Sequence, residues 1–372
     1  MNIKHIIKLL LPYYITNKII QRNKSNRVQQ ETQSHEKDFV EDYNNYCESN
    51  KDAIKLDTSC KYKTIISVQG FGYSGSGAVV DLLREFPSCQ VFGNVDFEGS
   101  ATKRAAIFEE VDFARLYGGL FDIEHYLNSN NLFQNDGVLN NFAKLVGCSK
   151  IYRCSEDIKQ YFLCFFDNLV SMHIRLGWQA YNPHLNFNFH NPNIFFLKNH
   201  SISDYRTLCK SLIYTLFNSL HTEGKECLVL DQFFTDFEFN TKRNKEYIPN
   251  LKTIVVYRDP RDVYAFAKNI NVEWIAHDSV EDFIKWHKIC YHNFSPSSTD
   301  YLPVRFEDLV FDYDKVVTTI KEYLNVSDHK FVKCNFDPSL SSKNVCIWKQ
   351  SNIDIREFCK IKEQLNEYCY LD

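Results

Sequence analysis

The 372-residue chain does without several things. No apolar run approaches the roughly eighteen residues that a membrane-spanning helix needs, so none is expected. There is no excess of positive charge: 43 Lys and Arg stand against 47 Asp and Glu, net −4, which argues against a nucleic-acid binder that grips phosphates along its whole surface. Among 13 cysteines no C-x-x-C pair occurs, so neither a zinc site nor a thioredoxin-like motif is supported. Their odd number and irregular spacing, from Cys47 to Cys369, read as reduced thiols of a cytosolic protein. What is present is globular: 44% hydrophobic and 24% charged residues, in a length that allows one large domain or two small ones.

The charge is unevenly placed. Residues 1–30 hold Lys4, Lys8, Lys18, Arg22, Lys24 and Arg27 and no acid, so residues 31–372 carry a net −10. Within that head, Ile6 to Ile15 is too short to span a bilayer and lacks a small-residue cleavage site. It suits peripheral contact with an anionic membrane through residues 1–27, and equally a helix packed on the domain. The expected location is the cytoplasm, at the inner membrane face. Residues 1–62 are read as this basic segment plus a polar linker, and 63–372 as the folded domain.

Order begins at Lys63. Thr64–Gln69, Cys89–Gly93, Cys227–Leu230, Thr253–Tyr257 and Tyr301–Arg305 read as short buried strands. Helix-length amphipathic stretches fill about 155–176, 203–221, 279–293, 312–325 and 352–368. Alternating strands and helices predict an α/β fold, with three layers around a central, mostly parallel sheet. Residues 100–225 look largely helical and long for a crossover, and are read as a substrate cap.

Glycine is scarce at 12 residues, yet Gly70, Gly72, Gly75 and Gly77 fall within eight positions, between a strand and a helix. Glycines there let the backbone turn so that consecutive N–H groups and the helix N-terminus face one anion. Ser74 and Ser76 add hydroxyls. The loop is not a Walker A motif, because Ser76-Gly77 or Ala78-Val79 stands where Lys-Ser/Thr is required. A dinucleotide fingerprint also fits poorly.

Two further segments follow: Arg258-Asp259-Pro260-Arg261-Asp262 after a strand, and Val304-Arg305-Phe306-Glu307-Asp308-Leu309. A Gly-rich loop, R-D-P-R-D and R-[FY]-E-D-L, in this order, resemble the sulfotransferases that use 3′-phosphoadenosine 5′-phosphosulfate (PAPS), in their bacterial, carbohydrate-type form. The resemblance covers roughly residues 63–350. It implies that Gly72, Tyr73, Ser74, Gly75, Ser76, Gly77 and Ala78 grip the 5′-phosphosulfate and that Arg258 holds the 3′-phosphate. It also implies that Lys343 and Lys349, in a C-terminal loop closing over the nucleotide, are phosphate partners. Two positions depart from the family: Tyr73 replaces the basic loop residue, and Phe266 replaces a serine eight residues after Arg258.

For the acceptor's proton the resemblance implies a carboxylate after the second strand, which falls on Glu98, with Asp96 second. His173 and His190 are further options, although a histidine in a helical region is more often structural. Asp231, after a strand, could orient a loop lysine or act like a Walker B aspartate. No metal site is evident. The implied activity is sulfuryl transfer from PAPS to a hydroxyl or amine of a glycan or other cell-surface acceptor. A P-loop phosphotransferase and a catalytically silent nucleotide-binding relative are the alternatives.

Overall fold

A computed structural model of the chain describes residues 39–48, 54–92, 110–129, 137–175, 193–233 and 241–370. The described chain forms two compact units, one of Leu56–Gly118 with Ser203–Asp372, the other from the described parts of Met1–Lys55 and Gly119–Ile202.

In chain order the elements are α1 (39–48), β1 (Thr64–Gly70), α2 (Ser76–Leu83), β2 (Cys89–Phe92), α3 (Glu110–Asn128), α4 (Val138–Cys148), α5 (Glu156–Leu169), β3 (Val170–Arg175) and β4 (Asn193–Leu197). They continue with α6 (Ile202–Ser219), β5 (Cys227–Asp231), α7 (Thr241–Tyr247), β6 (Leu251–Tyr257), α8 (Pro260–Ile270) and α9 (Val280–Cys290). The last are β7 (Leu302–Arg305), α10 (Phe306–Phe311), α11 (Tyr313–Leu324), α12 (Pro338–Ser341) and α13 (Ile355–Leu365).

The central sheet is wholly parallel, in the order β2-β5-β1-β6-β7. Its inner strands are continuous apolar runs rather than alternating ones, because both faces are covered. On one face Ile254 and Val256 of β6 meet Val79, Val80, Leu82 and Leu83 of α2 and Val317, Ile320 and Leu324 of α11. On the other, Val255 and Tyr257 meet Val263 and Tyr264 of α8, Phe283 of α9 and Ile361 of α13. Each such buried aliphatic or aromatic side chain contributes about 1.5–3 kcal/mol. The fold is therefore the expected three-layer α/β architecture. Pro303 is tolerated because β7 is an edge strand.

After β1 the chain leaves toward β2 and β5; after β6 it leaves toward β7, on the other side of β1. Where strand order reverses in this way, the carboxyl ends of the two strands open a crevice. The glycine-rich loop follows β1 and Arg258 follows β6, so both fall at that crevice.

The second unit differs in detail from the sequence expectation. The stretch 155–176 is not one helix: α5 stops at Leu169, where Val170 turns extended (φ −83, ψ 121), and Val170–Arg175 pairs antiparallel with β4. The Val-Ser-Met-His-Ile-Arg sequence alternates in a way a strand satisfies as well as a helix. His173 belongs to this hairpin, bonded through Nε2 to Asn193 Oδ1 at 3.0 Å and stacked on Phe195.

Candidate active site

The loop between β1 and α2 is bent by three residues in the left-handed region: Gly72 (φ 47), Tyr73 (φ 58) and Gly75 (φ 92). Glycine at 70 and 75 is a packing requirement as well. A β-carbon on Gly70 would lie 2.1 Å from Ser74 Oγ, and one on Gly75 would lie 2.4 Å from Phe306 Cδ2. The loop thus folds tightly over the Phe306 ring.

Helix α2 begins directly after this turn. Its N-cap, Gly75, supplies no side-chain cap bond, and no acid lies in the first turn. The positive end of the helix therefore opens on the loop without a side-chain cap or a first-turn carboxylate of its own. Ser74 is 2% exposed and its hydroxyl has no hydrogen-bond partner, an arrangement that costs free energy unless a ligand completes it. Ser76 Oγ accepts from Gln232 Nε2 at 3.0 Å, and Gln232 is fixed in turn by its N–H to Val68 O at 2.8 Å. In this way the end of β5, with Asp231, is brought beside the loop.

Arg258 is buried and works as a strut. Its Nη1 donates to Tyr73 O at 3.3 Å, its Nη2 donates to Asn344 O, and Nη2 lies 3.7 Å from Asp262 Oδ2. Its guanidinium carbon sits 5.2 Å from the Phe306 ring centroid, and Nε has no partner. Arg258 and Asp262 thus pair in the interior of the protein. Asp262 also accepts from the N–H groups of Cys346 (2.8 Å) and Trp348 (3.1 Å). Burial raises its pKa, and Arg258 opposes that rise.

The other charges of the second motif serve the fold. Asp259 caps α8 through Arg261 N (2.8 Å), pairs with the Arg261 guanidinium (2.7 Å) and accepts from Tyr370 N (2.9 Å). Glu307, from the third motif, accepts from Asp259 N at 2.9 Å. Burial pushes the Glu307 carboxyl up to about 7.

Loop, strut and C-terminal segment enclose an open cavity of about 880 Å³. Gly72, Tyr73, Ser74, Gly75, Ser76, Gly77 and Ala78 all line it, as do Asp231 and Arg258. Lys343 and Lys349 are exposed and do not line it; Ser341 and Asn344 do. Glu98, Asp96 and His190 lie outside the described residues.

Sequence reasoning missed Gln232, Trp274, Trp286 and the wall of Asn335, Phe336 and Asp337. Only the position of Gln232, directly after a strand that ends in Asp231, carried a usable signal. Among the described lining residues Arg258 is the single cation, beside Asp81, Asp231 and Asp337. Among the described residues, no cluster of three or more His, Cys, Asp or Glu could hold a metal, and no helix is long and apolar enough to cross a membrane.

No protein-family model matches the chain, and no curated protein matches it. Among solved structures it is similar to a sulfotransferase from Mycobacterium avium, with 9% identity and a TM-score of 0.35 over 84% of this chain and 78% of that one. It is also similar to the sulfotransferase domain of the olefin synthase from Synechococcus PCC 7002 (14%, 0.37, 84% and 98%). A third is a sulfotransferase from Mycobacterium tuberculosis H37Rv (11%, 0.35, 84% and 81%). Likenesses this distant do not fix an activity.

Proposed function

We propose that the protein is a PAPS-dependent sulfotransferase acting on a hydroxyl or amine of a glycan or other cell-surface acceptor. The observation that carries this reading is the meeting of three separate sequence motifs in one cavity: Gly75 rests on Phe306, and Arg258 joins Tyr73 to Asn344.

In this reading the loop N–H groups, Ser74 and the N-terminus of α2 receive the 5′-phosphosulfate, and Arg258 faces the 3′-phosphate. The acceptor oxygen attacks sulfur in line, forming a new S–O bond. The bond from sulfur to the 5′-phosphate oxygen breaks, and its electron pair stays on that oxygen. Fixed dipoles aimed at the developing charge do most of the work in transfers of this type. The proton leaves to a base, assigned by this proposal to Glu98. The lysine or arginine that would steady the leaving oxygen is absent from the loop, where Tyr73 stands.

Acceptor-dependent release of 3′-phosphoadenosine 5′-phosphate (PAP) from PAPS, with a sulfated product by mass spectrometry, tests the proposal. Glu98→Gln should cut that turnover about 10²–10⁴-fold with PAP binding retained. An active Glu98→Gln enzyme moves the role to another group. No PAP release with any glycan offered counts against transferase activity.

The six basic residues of 1–27 would place the enzyme at an anionic membrane face, where each contributes about 1 kcal/mol. Salt-insensitive or absent liposome binding at low ionic strength removes that part. One observation favours a second reading: Asp231 lines the cavity beside the loop, as a phosphotransferase's metal-holding aspartate does. That reading requires magnesium-dependent ATP binding.

A further inference from the structure

We propose that Tyr73, Phe266 and Trp274 form a stacking shelf that receives the acceptor, and that the shelf takes a neutral pyranose ring laid against Trp274. The inference rests on the transferase reading and names the acceptor class for the same cavity.

The shelf unites the two positions where the chain departs from the family it resembles. The ring centroids of Tyr73 and Phe266 are 4.5 Å apart, and those of Tyr73 and Trp274 are 5.2 Å apart with planes only 26° from parallel. All three residues line the cavity. They are more than scattered surface aromatics, because the backbone is committed to presenting them. Tyr73 holds φ 58, a region that a residue with a β-carbon adopts at a cost and that clusters at functional sites.

The turn carrying Trp274 is pinned from both sides. Asn271 is left-handed (φ 52), Val272 N donates to Ala267 O at 3.2 Å, and Ile275 is buried. The His277 ring joins Ile275 O at 2.7 Å to Asn271 Oδ1 at 3.0 Å. A rigid turn nevertheless leaves Trp274 60% exposed, and Tyr73 39%.

Exposure separates acceptor from donor. A donor nucleotide gripped for transfer belongs at the buried end, where Ser74 and Arg258 lie. A glycan arrives from solvent and meets the rim first. The C–H face of a pyranose covers an exposed indole, while its hydroxyls keep polar partners at the edge. Tyr73 belongs to the glycine-rich loop itself and stacks on Trp274, so the shelf is anchored to the loop that this reading gives to the donor. Charge narrows the class further. The one arginine of the described lining is bonded to Tyr73 O and Asn344 O and faces the donor, which leaves an acidic sugar no cation in that lining.

The test is isothermal titration of the full chain, with PAP present and absent, using cellotetraose, maltotetraose and chitotetraose as neutral probes and tetragalacturonate as the acidic one. At least one neutral probe should bind. Trp274→Ala should weaken it about tenfold, Trp274→Phe should restore most of the affinity, and PAP should still bind both variants. Failure of every neutral probe, or equal affinity in wild type and Trp274→Ala, overturns the shelf while leaving PAP binding, and the donor reading, standing. Tighter binding of tetragalacturonate overturns the neutral class. Oligosaccharide binding that depends on Trp274 in a protein that never binds PAP upholds the shelf and overturns the donor reading.

Discussion

The ring of Phe306 occupies the space that a β-carbon on Gly75 would need, 2.4 Å from its Cδ2. One contact therefore joins the glycine-rich loop to the R-F-E-D-L segment, and the Arg258 guanidinium sits over the same ring. Gly75→Ala must both strain a φ of 92° and displace a buried ring. The expected loss is about 2–4 kcal/mol in urea unfolding, together with loss of nucleotide binding. Gly224→Ala is the control: it has a similar φ of 82° with nothing within 4 Å, so about 1 kcal/mol is expected.

The far wall of the cavity hangs on a second buried group. Glu85, just past the end of α2, accepts from His329 Nε2 (2.7 Å), Tyr313 Oη (3.1 Å) and the N–H groups of Lys333 (3.1 Å), Asn335 (3.0 Å) and Phe336 (3.1 Å). Burial alone would raise its pKa, but His329 and the three N–H groups hold it below the usual value. A lowered carboxylate contributes stability above its unfolded pKa of about 4.5 and loses it as pH falls through the folded value. Glu85→Gln should flatten the acid limb of a melting-temperature profile. Glu85→Ala, which strands these donors, should cost about 3 kcal/mol or more. An unchanged acid limb in the Gln variant would show that Glu85 does not carry it.

Glu307 has the opposite sign. Its folded pKa of about 7 lies above the unfolded 4.5, so the folded state holds a proton that the unfolded state has lost. Stability should fall as pH rises between those values, by about 3 kcal/mol at most. Glu307→Gln can still accept from Asp259 N and should remove the decline. Denaturant midpoints at pH 5 and pH 8 in both proteins measure it.

The sheet was legible because its strands are short apolar runs closed by polar turns, and four glycines in eight residues marked the tight turn after β1. The helix-to-strand change at Leu169 and Val170 was not legible, since a run of that length fits both periods. The aromatic rim escaped for a different reason. Phe266 stood out only as a departure from the R-D-P-R-D family pattern, Trp274 comes from a turn with no motif of its own, and only the pinned turn brings it to Tyr73. Arg258 lines the cavity, and its tie to Asn344 O depends on a segment 86 residues on, a distance no local pattern reports.

The central claim is that this cavity holds a 3′-phosphorylated adenine nucleotide without a metal, and calorimetry on the wild-type full chain tests it most directly. PAP should bind in the presence of EDTA, at least about tenfold tighter than adenosine 5′-phosphosulfate, because only PAP carries the 3′-phosphate that the proposal assigns to Arg258. ATP should gain nothing from added magnesium. Magnesium-dependent ATP binding with no heat from PAP would contradict the account and favour the phosphotransferase reading.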